Sequence, residues 1–165
     1  MKKVCIIGLG RGGKDTMAET LNEKFGVSFR SSSEAAAEAV CFPALKDKYG
    51  YTTWQECFDD RHNHRSEWYD LITEYNMEDP SKLAKEILKD NDIYVGMRNK
   101  RELLSCIDQG LFDIVVWVDA EERLGVTEDL SSITVTKDMA DIIITNNGTL
   151  QEFENKVSRL WEMFK

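Results

Sequence analysis

Short apolar runs bounded by turn residues recur along the chain at 3–7, 92–96, 114–118 and 141–144, with a weaker fifth at 27–30. The run Ile114-Val115-Val116-Trp117-Val118 does not alternate between apolar and polar, which is the pattern of a strand covered on both faces in a parallel sheet. Between these runs lie amphipathic, helix-period segments at 14–25, 33–40, 54–75 (with a break), 81–88, 100–107 and 150–164. Helix-start signals agree: Ser31-x-x-Glu34 and Thr53-x-x-Glu56 have capping-box spacing, and Thr149 precedes the apolar stripe Leu150, Phe153, Val157, Leu160 and Trp161. Strands alternating with helices predict an α/β fold with a wound parallel sheet. No repeat or Pro/Gly/Ser linker divides the 165 residues, so a single domain is expected.

The most informative segment joins the first strand to the first helix: Val4-Cys5-Ile6-Ile7-Gly8-Leu9-Gly10-Arg11-Gly12-Gly13-Lys14-Asp15-Thr16. Gly8, four residues, Gly13 and Lys14 match the phosphate-binding loop G-x-x-x-x-G-K in the strand–loop–helix context its mechanism requires. Glycines let the backbone curl with its N–H groups inward, and the helix N-terminus adds unpaired donors and positive potential. Two other readings use the same residues. One is a tight turn with glycines for packing alone. The other is a dinucleotide fingerprint, Gly8-x-Gly10-x-x-Gly13, which does not need Lys14 and asks for an acid at the end of the second strand, where this chain has Arg30 and Ser31. Lys14 favours a donor-phosphate loop. The Ser or Thr usual after the lysine is replaced by Asp15, with Thr16 next, so the expected metal ligands are Asp15 and Thr16 together with Asp119 beyond the third strong apolar run.

An acceptor would need a second cationic grip. Arg98 follows the 92–96 run at the carboxyl end of the sheet, where open α/β folds bind ligands. Arg61, His64, Arg65 and Trp68 fall at helical spacing, which would set two guanidinium groups beside an aromatic wall, although carboxylates at Asp59, Asp60, Glu67 and Asp70 also suit an ordinary solvated face. Arg123 lies in an acidic stretch with Glu121, Glu122, Glu128 and Asp129, read as a short lid over about 120–136, with Arg123 neutralising charge on a transferred group. Glu34, beside Ser31, Ser32 and Ser33, is the candidate base for a hydroxyl acceptor. His62, His64 and Cys57 lack a zinc ligand spacing.

Lys plus Arg number 21 against 30 Asp plus Glu, a formal charge of −9, which disfavours an extended nucleic acid as partner but not one small anion in a cationic pocket. Cys5, Cys41, Cys57 and Cys106 are scattered, and the opening apolar run is shorter than the roughly 7 to 15 residues of a signal peptide. No run reaches the ~20 apolar residues of a membrane span. A cytoplasmic, reducing setting is the expectation, that of the host if the chain is phage-encoded.

Gly13-Lys14-Asp15-Thr16 and the late segment Ile142-Ile143-Ile144-Thr145-Asn146-Asn147-Gly148-Thr149-Leu150 resemble the corresponding signatures of bacteriophage deoxynucleoside-monophosphate kinases. The resemblance covers residues 1–25 and 136–165; the middle follows it only in element order and placement of arginines. It implies a three-layer P-loop kinase fold, a five-stranded parallel sheet with helices on both faces, a helical acceptor-binding insertion at about 42–80, and magnesium-dependent phosphoryl transfer from ATP to a deoxynucleoside monophosphate. Gly8, Gly10, Arg11, Gly12, Gly13, Lys14, Asp15 and Thr16 would hold the donor phosphates, Asn146 and Asn147 would lie near the adenine, and the protein would act as a monomer or homodimer. Phage P-loop kinases acting on 5-hydroxymethyldeoxyuridine in DNA share the resemblance, and a non-catalytic nucleotide-binding module is the alternative from a different class.

Overall fold

The computed structural model describes residues 2–128, 130 and 133–164. Part of the 120–136 segment expected to be a lid, Asp129 included, therefore lies outside the described residues. Five strands form one parallel sheet among them: β1 (Val4–Ile7), β2 (Phe29–Ser31), β3 (Ile93–Val95), β4 (Ile114–Asp119) and β5 (Ile142–Thr145), ordered β2-β3-β1-β4-β5. β1 is central and buried at every position, with Cys5 opposite both Tyr94 and Val115. β5 is an edge strand, and Ile143 on it is half exposed.

The side-chain period of two sends alternate β1 residues to opposite faces. Val4 and Ile6 pack with Met17, Ala18 and Leu21 of α1 (Lys14–Phe25) and with Phe153, Val157 and Trp161 of α9 (Leu150–Phe164). Cys5 and Ile7 face the opposite layer, with Leu83, Ala84 and Ile87 of α6 (Lys82–Asp90) and Leu103 and Cys106 of α7 (Lys100–Asp108). Each fully buried large side chain, such as Phe153, contributes roughly 1.5–3 kcal/mol. The helices thus cover both faces, as the sequence pattern predicts.

Between β2 and β3 the 33–40 segment departs from the expected single helix, whereas the 54–75 segment breaks as expected. The 33–40 segment is α2 (Ser32–Ala36) followed by a π-helical turn (Ala37–Cys41) that runs straight into α3 (Phe42–Tyr49). The 54–75 segment is α4 (Trp54–Asp59), a 3-10 turn (Arg61–Asn63) and α5 (Arg65–Tyr75). Asp60 causes the break: its carboxylate accepts from Tyr51 Oη (2.5 Å) and Asn63 Nδ2 (2.6 Å) and pairs with His64 Nε2 (3.0 Å), so the chain turns around it. α8 (Glu121–Leu124) is a single turn directly after β4. All four cysteines are free and buried, and no described helix is long and apolar enough to cross a membrane.

Candidate functional site

β1 ends against the floor of a loop whose shape only glycine permits. Gly8 has φ +148°, and a Cβ there would stand 2.6 Å from the Val118 carbonyl oxygen of β4. Gly13 has φ +113° and opens α1, with a Cβ position 2.5 Å from Asn146 Nδ2. Between them Arg11 takes φ +63°, a left-handed conformation uncommon outside glycine, and Gly12 N–H donates to Leu9 O at 3.2 Å. No side chain caps the first turn of α1, so its backbone donors face the loop.

Lys14 lies at this turn, mostly shielded from solvent, and its ammonium donates to the carbonyls of Gly8 (2.8 Å) and Leu9 (3.1 Å). Burial, and secondarily the nearby Arg98 guanidinium, hold its pKa below the ordinary lysine value, against the opposing charges of Glu128 and Asp15. A lysine so placed is a fixed charge at the mouth of the loop. Asp15 is exposed and Thr16 partly exposed on the same first turn.

The far wall comes from β4 and β5. Asn146 Nδ2 donates to Gly12 O (2.9 Å) and its N–H donates to Asp119 O (2.7 Å), so Asn146 braces the loop from beneath. Asn147 Oδ1 accepts from Arg123 N (3.1 Å), and Arg123 Nε donates to Asn146 O (3.1 Å). Arg123 therefore lies along the 146–147 turn. Asp119 Oδ1 accepts from Glu121 N (2.9 Å) and Oδ2 pairs with Lys137 Nζ (3.0 Å). Burial alone would raise the Asp119 carboxyl, but these two partners hold it below its usual range. A small cleft lined by Gly10, Gly12, Asp119, Glu121 and Lys137 opens between loop and wall.

No group of three or more His, Cys, Asp or Glu side chains converges among the described residues. Magnesium bound through substrate phosphates asks less than that, usually one or two carboxylates with several waters. Thr16, on the first turn of α1, and Asp119, at the end of β4, are hard oxygen donors of that kind, but both Asp119 oxygens are engaged, by the Glu121 N–H and by Lys137, so an ion there would have to replace Lys137.

On the other side of the loop, Arg98 stands at the end of β3 and pairs with Glu128, whose Oε1 also accepts from Gly10 N–H at 2.7 Å. The structure thus brings Lys14, Gly10, Arg98 and Glu128 together. Glu128, seen in the sequence only as one acid of a lid, is the site residue that sequence reasoning missed. Glu34 lies in the first turn of α2, whose N-cap is Ser31: Ser31 Oγ accepts the Glu34 N–H (3.2 Å) and donates to its Oε1 (3.0 Å). Nearby, Arg30 pairs with Glu38 (2.7 Å) and stacks over Trp54 at 5.4 Å.

The expected face of Arg61, Arg65 and Trp68 does not form as one helix. Arg61 turns back on its own segment, donating to Phe58 O (2.9 Å) and covering the Phe58 ring at 4.0 Å. Arg65 is exposed at the start of α5. Trp68 is core rather than wall, 6% exposed beneath α5, and its buried indole N–H has no hydrogen-bond partner among the described residues.

No protein-family model and no curated protein sequence matches this chain. Solved structures do. Shikimate kinase from Acinetobacter baumannii in complex with shikimate is similar at TM-score 0.55 and 14% identity, over 100% of this chain and 95% of that one. A gluconokinase from Sinorhizobium meliloti 1021 is similar at TM-score 0.54 and 12% identity, over 99% and 95%. Shikimate kinase from Bacteroides thetaiotaomicron is similar at TM-score 0.53 and 13% identity, over 99% and 98%. The five-stranded parallel sheet with helices on both faces is the P-loop kinase fold of these proteins.

Proposed function

We propose that this protein is an ATP-dependent kinase that transfers the γ-phosphoryl group to a small-molecule acceptor, and that the acceptor is a deoxynucleoside monophosphate. The observation that carries the reading is the loop itself: a glycine-shaped cradle at Gly8 and Gly13, an uncapped helix N-terminus, and Lys14 held at its mouth. The kinase fold of the solved structures supports phosphoryl transfer, and the resemblance of segments 13–16 and 142–150 to phage deoxynucleoside-monophosphate kinases supports the deoxynucleotide.

In this reading the loop amides of Gly10, Arg11, Gly12 and Gly13 and the Lys14 ammonium hold the β and γ phosphates, while Asn146 and Asn147 shape the adenine side. Thr16 and Asp119, with Asp15 nearby, would hold magnesium, which supplies charge neutralisation on the phosphates when bound. Arg98 orients the acceptor, Arg65, exposed at the start of α5, is a further cation on that side, and Arg123 adds charge beside the 146–147 turn. An acceptor phosphate oxygen attacks the γ-phosphorus as the bond to the bridging oxygen of ADP breaks. A monophosphate already offers an ionised oxygen, so no general base is required and catalysis is positioning plus electrostatics.

A hydroxyl acceptor is the second reading, favoured by neighbours named shikimate kinase and gluconokinase. Glu34 is the carboxylate it would use, and the Ser31 hydroxyl already engages its Oε1.

The test is a coupled ADP-release assay against deoxynucleoside and ribonucleoside monophosphates, shikimate, gluconate and a 5-hydroxymethyldeoxyuridine oligonucleotide. Turnover with a deoxynucleoside monophosphate, little affected by added salt, is expected. Turnover only with a sugar acid or with the oligonucleotide would replace the acceptor. Tight ATP binding without turnover on any of them would make this a binding module.

A further inference from the structure

Two consecutive residues after α8 close on one residue of the phosphate loop, Gly10, from both of its flanking peptides. Glu128 Oε1 accepts the Gly10 N–H at 2.7 Å, and the Thr127 hydroxyl donates to the Gly10 carbonyl. The same Glu128 carboxylate forms an ion pair with Arg98 and is largely shielded, its side chain 16% exposed. The approach begins at Gly125, whose φ of 71° and ψ of −159° lie in a region essentially restricted to glycine. Its far side is tied down where Thr134 N–H (2.8 Å) and Val135 N–H (3.3 Å) donate to the Arg98 carbonyl.

The chemistry of this contact is that of a phosphate oxygen. An anion touches a loop N–H, lies in the field of Lys14, and is matched by a guanidinium. Burial tends to raise the Glu128 carboxyl. The hydrogen bonds from Arg98 and Gly10, with the charges of Arg98 and Lys14, more than offset it and keep the group ionised at neutral pH.

We infer that Glu128 is an internal competitor for the donor phosphate: its carboxylate holds the Gly10 amide and Arg98 together, and a nucleotide phosphate enters by displacing it. The inference rests on the reading of the loop as the donor site. Displacement has a second effect, because the same event releases Arg98 from its ion pair on the acceptor side. Donor and acceptor binding are then coupled positively, and by linkage each strengthens the other by the same factor. The coupling is carried by one side chain exchanged between two partners.

Equilibrium titration at pH 7.5 with ATP and, separately, with adenosine tests this on the full chain. The proteins are the wild type, Glu128→Gln, Glu128→Ala, Glu122→Gln and Lys14→Ala. Glu122 is an exposed acid on α8 and controls for the loss of one negative charge. Both Glu128 variants should bind ATP about tenfold more tightly, the gain expected when a competing state populated roughly ten to one is removed. Adenosine affinity should stay unchanged, Glu122→Gln should match the wild type, and Lys14→Ala should bind ATP more weakly. If the wild type binds ATP but neither Glu128 variant binds it more tightly, the competitor is overturned and the donor site stands. An equal gain in Glu122→Gln, or an equal gain for adenosine, also overturns it, because net charge or a global change would then be responsible. If the wild type fails to bind ATP and Lys14→Ala changes nothing, the donor site itself falls and the competitor with it.

Discussion

Gly8, Gly13 and Lys14 were legible in the sequence because a phosphate loop is local: its requirement for positive φ and a lysine is written into seven consecutive positions. Gly8→Ala should therefore cost about 1–3 kcal/mol and weaken ATP binding, since the new Cβ would meet the Val118 carbonyl. Urea unfolding with parallel nucleotide titration checks both, and an unchanged midpoint would contradict the close approach. Glu128 was not legible, because its contact with Gly10 joins positions 118 residues apart. Arg61 misleads for a related reason: spacing puts a guanidinium on a face but does not show that its own Phe58 carbonyl and ring will claim it. A second long-range contact bears on pH. Burial pushes the Glu102 carboxyl up to about 7, against a hydrogen bond from Asn76 Nδ2 at 3.1 Å. A raised carboxyl pKa means that the folded state holds its proton longer than the unfolded state, whose value is near the ordinary 4.5. Its contribution to stability is thus present at low pH and is lost as pH rises from about 4.5 to about 7. The melting temperature of wild type relative to Glu102→Gln should fall across that window and level off above it, and a pH-independent difference would contradict the burial.

At the scale of elements, β1, β3 and β4 read well because burial on both faces leaves a continuous apolar run, and the edge strand β5, with only Ile144 buried, still lies beside its predicted segment. β2 sits later than the 27–30 run, because Val27 packs into the α1 and α9 layer just before the strand begins. The π-helical turn Ala37–Cys41 and α3 were not legible. A π turn alters the 3.6 period that reveals helices, and α3 buries only Leu45, so it carries almost no stripe. The N-caps, by contrast, transferred directly: Thr53 Oγ1 accepts from Glu56 N at 3.3 Å and starts α4 where its spacing predicts, although the Glu56 carboxylate takes the N–H of Thr52 rather than that of Thr53. Thr53→Ala should destabilise the protein by about 1 kcal/mol without changing nucleotide affinity, measured by denaturant unfolding beside a binding titration. A loss of nucleotide affinity without a change in stability would mean that this cap serves the site.

For the whole molecule, the order β2-β3-β1-β4-β5 sets the loop after β1 between the ends of β3 and β4, the two strands that pair with β1. That explains why Arg98 after β3 and Asp119 at the end of β4 flank Lys14 though the sequence keeps them far apart. The −9 charge is that of the whole chain, while at the loop Lys14 and Arg98 lie close enough to repel. Fold class and the glycine-shaped loop after β1 were readable because they follow from strand–helix alternation and one local motif. The acceptor side was not, since it depends on how a broken helical segment folds around Asp60. The central claim is that Lys14 and its loop hold a phosphoryl donor for transfer. The most direct measurement is transfer of labelled γ-phosphate from ATP by wild type and Lys14→Ala, using the acceptor that gives the highest turnover and with both proteins shown to be folded by their melting curves. A fall of ~10²-fold or more in the variant is predicted, the scale of losing one preorganised electrostatic donor. Equal transfer by the two proteins would contradict the account.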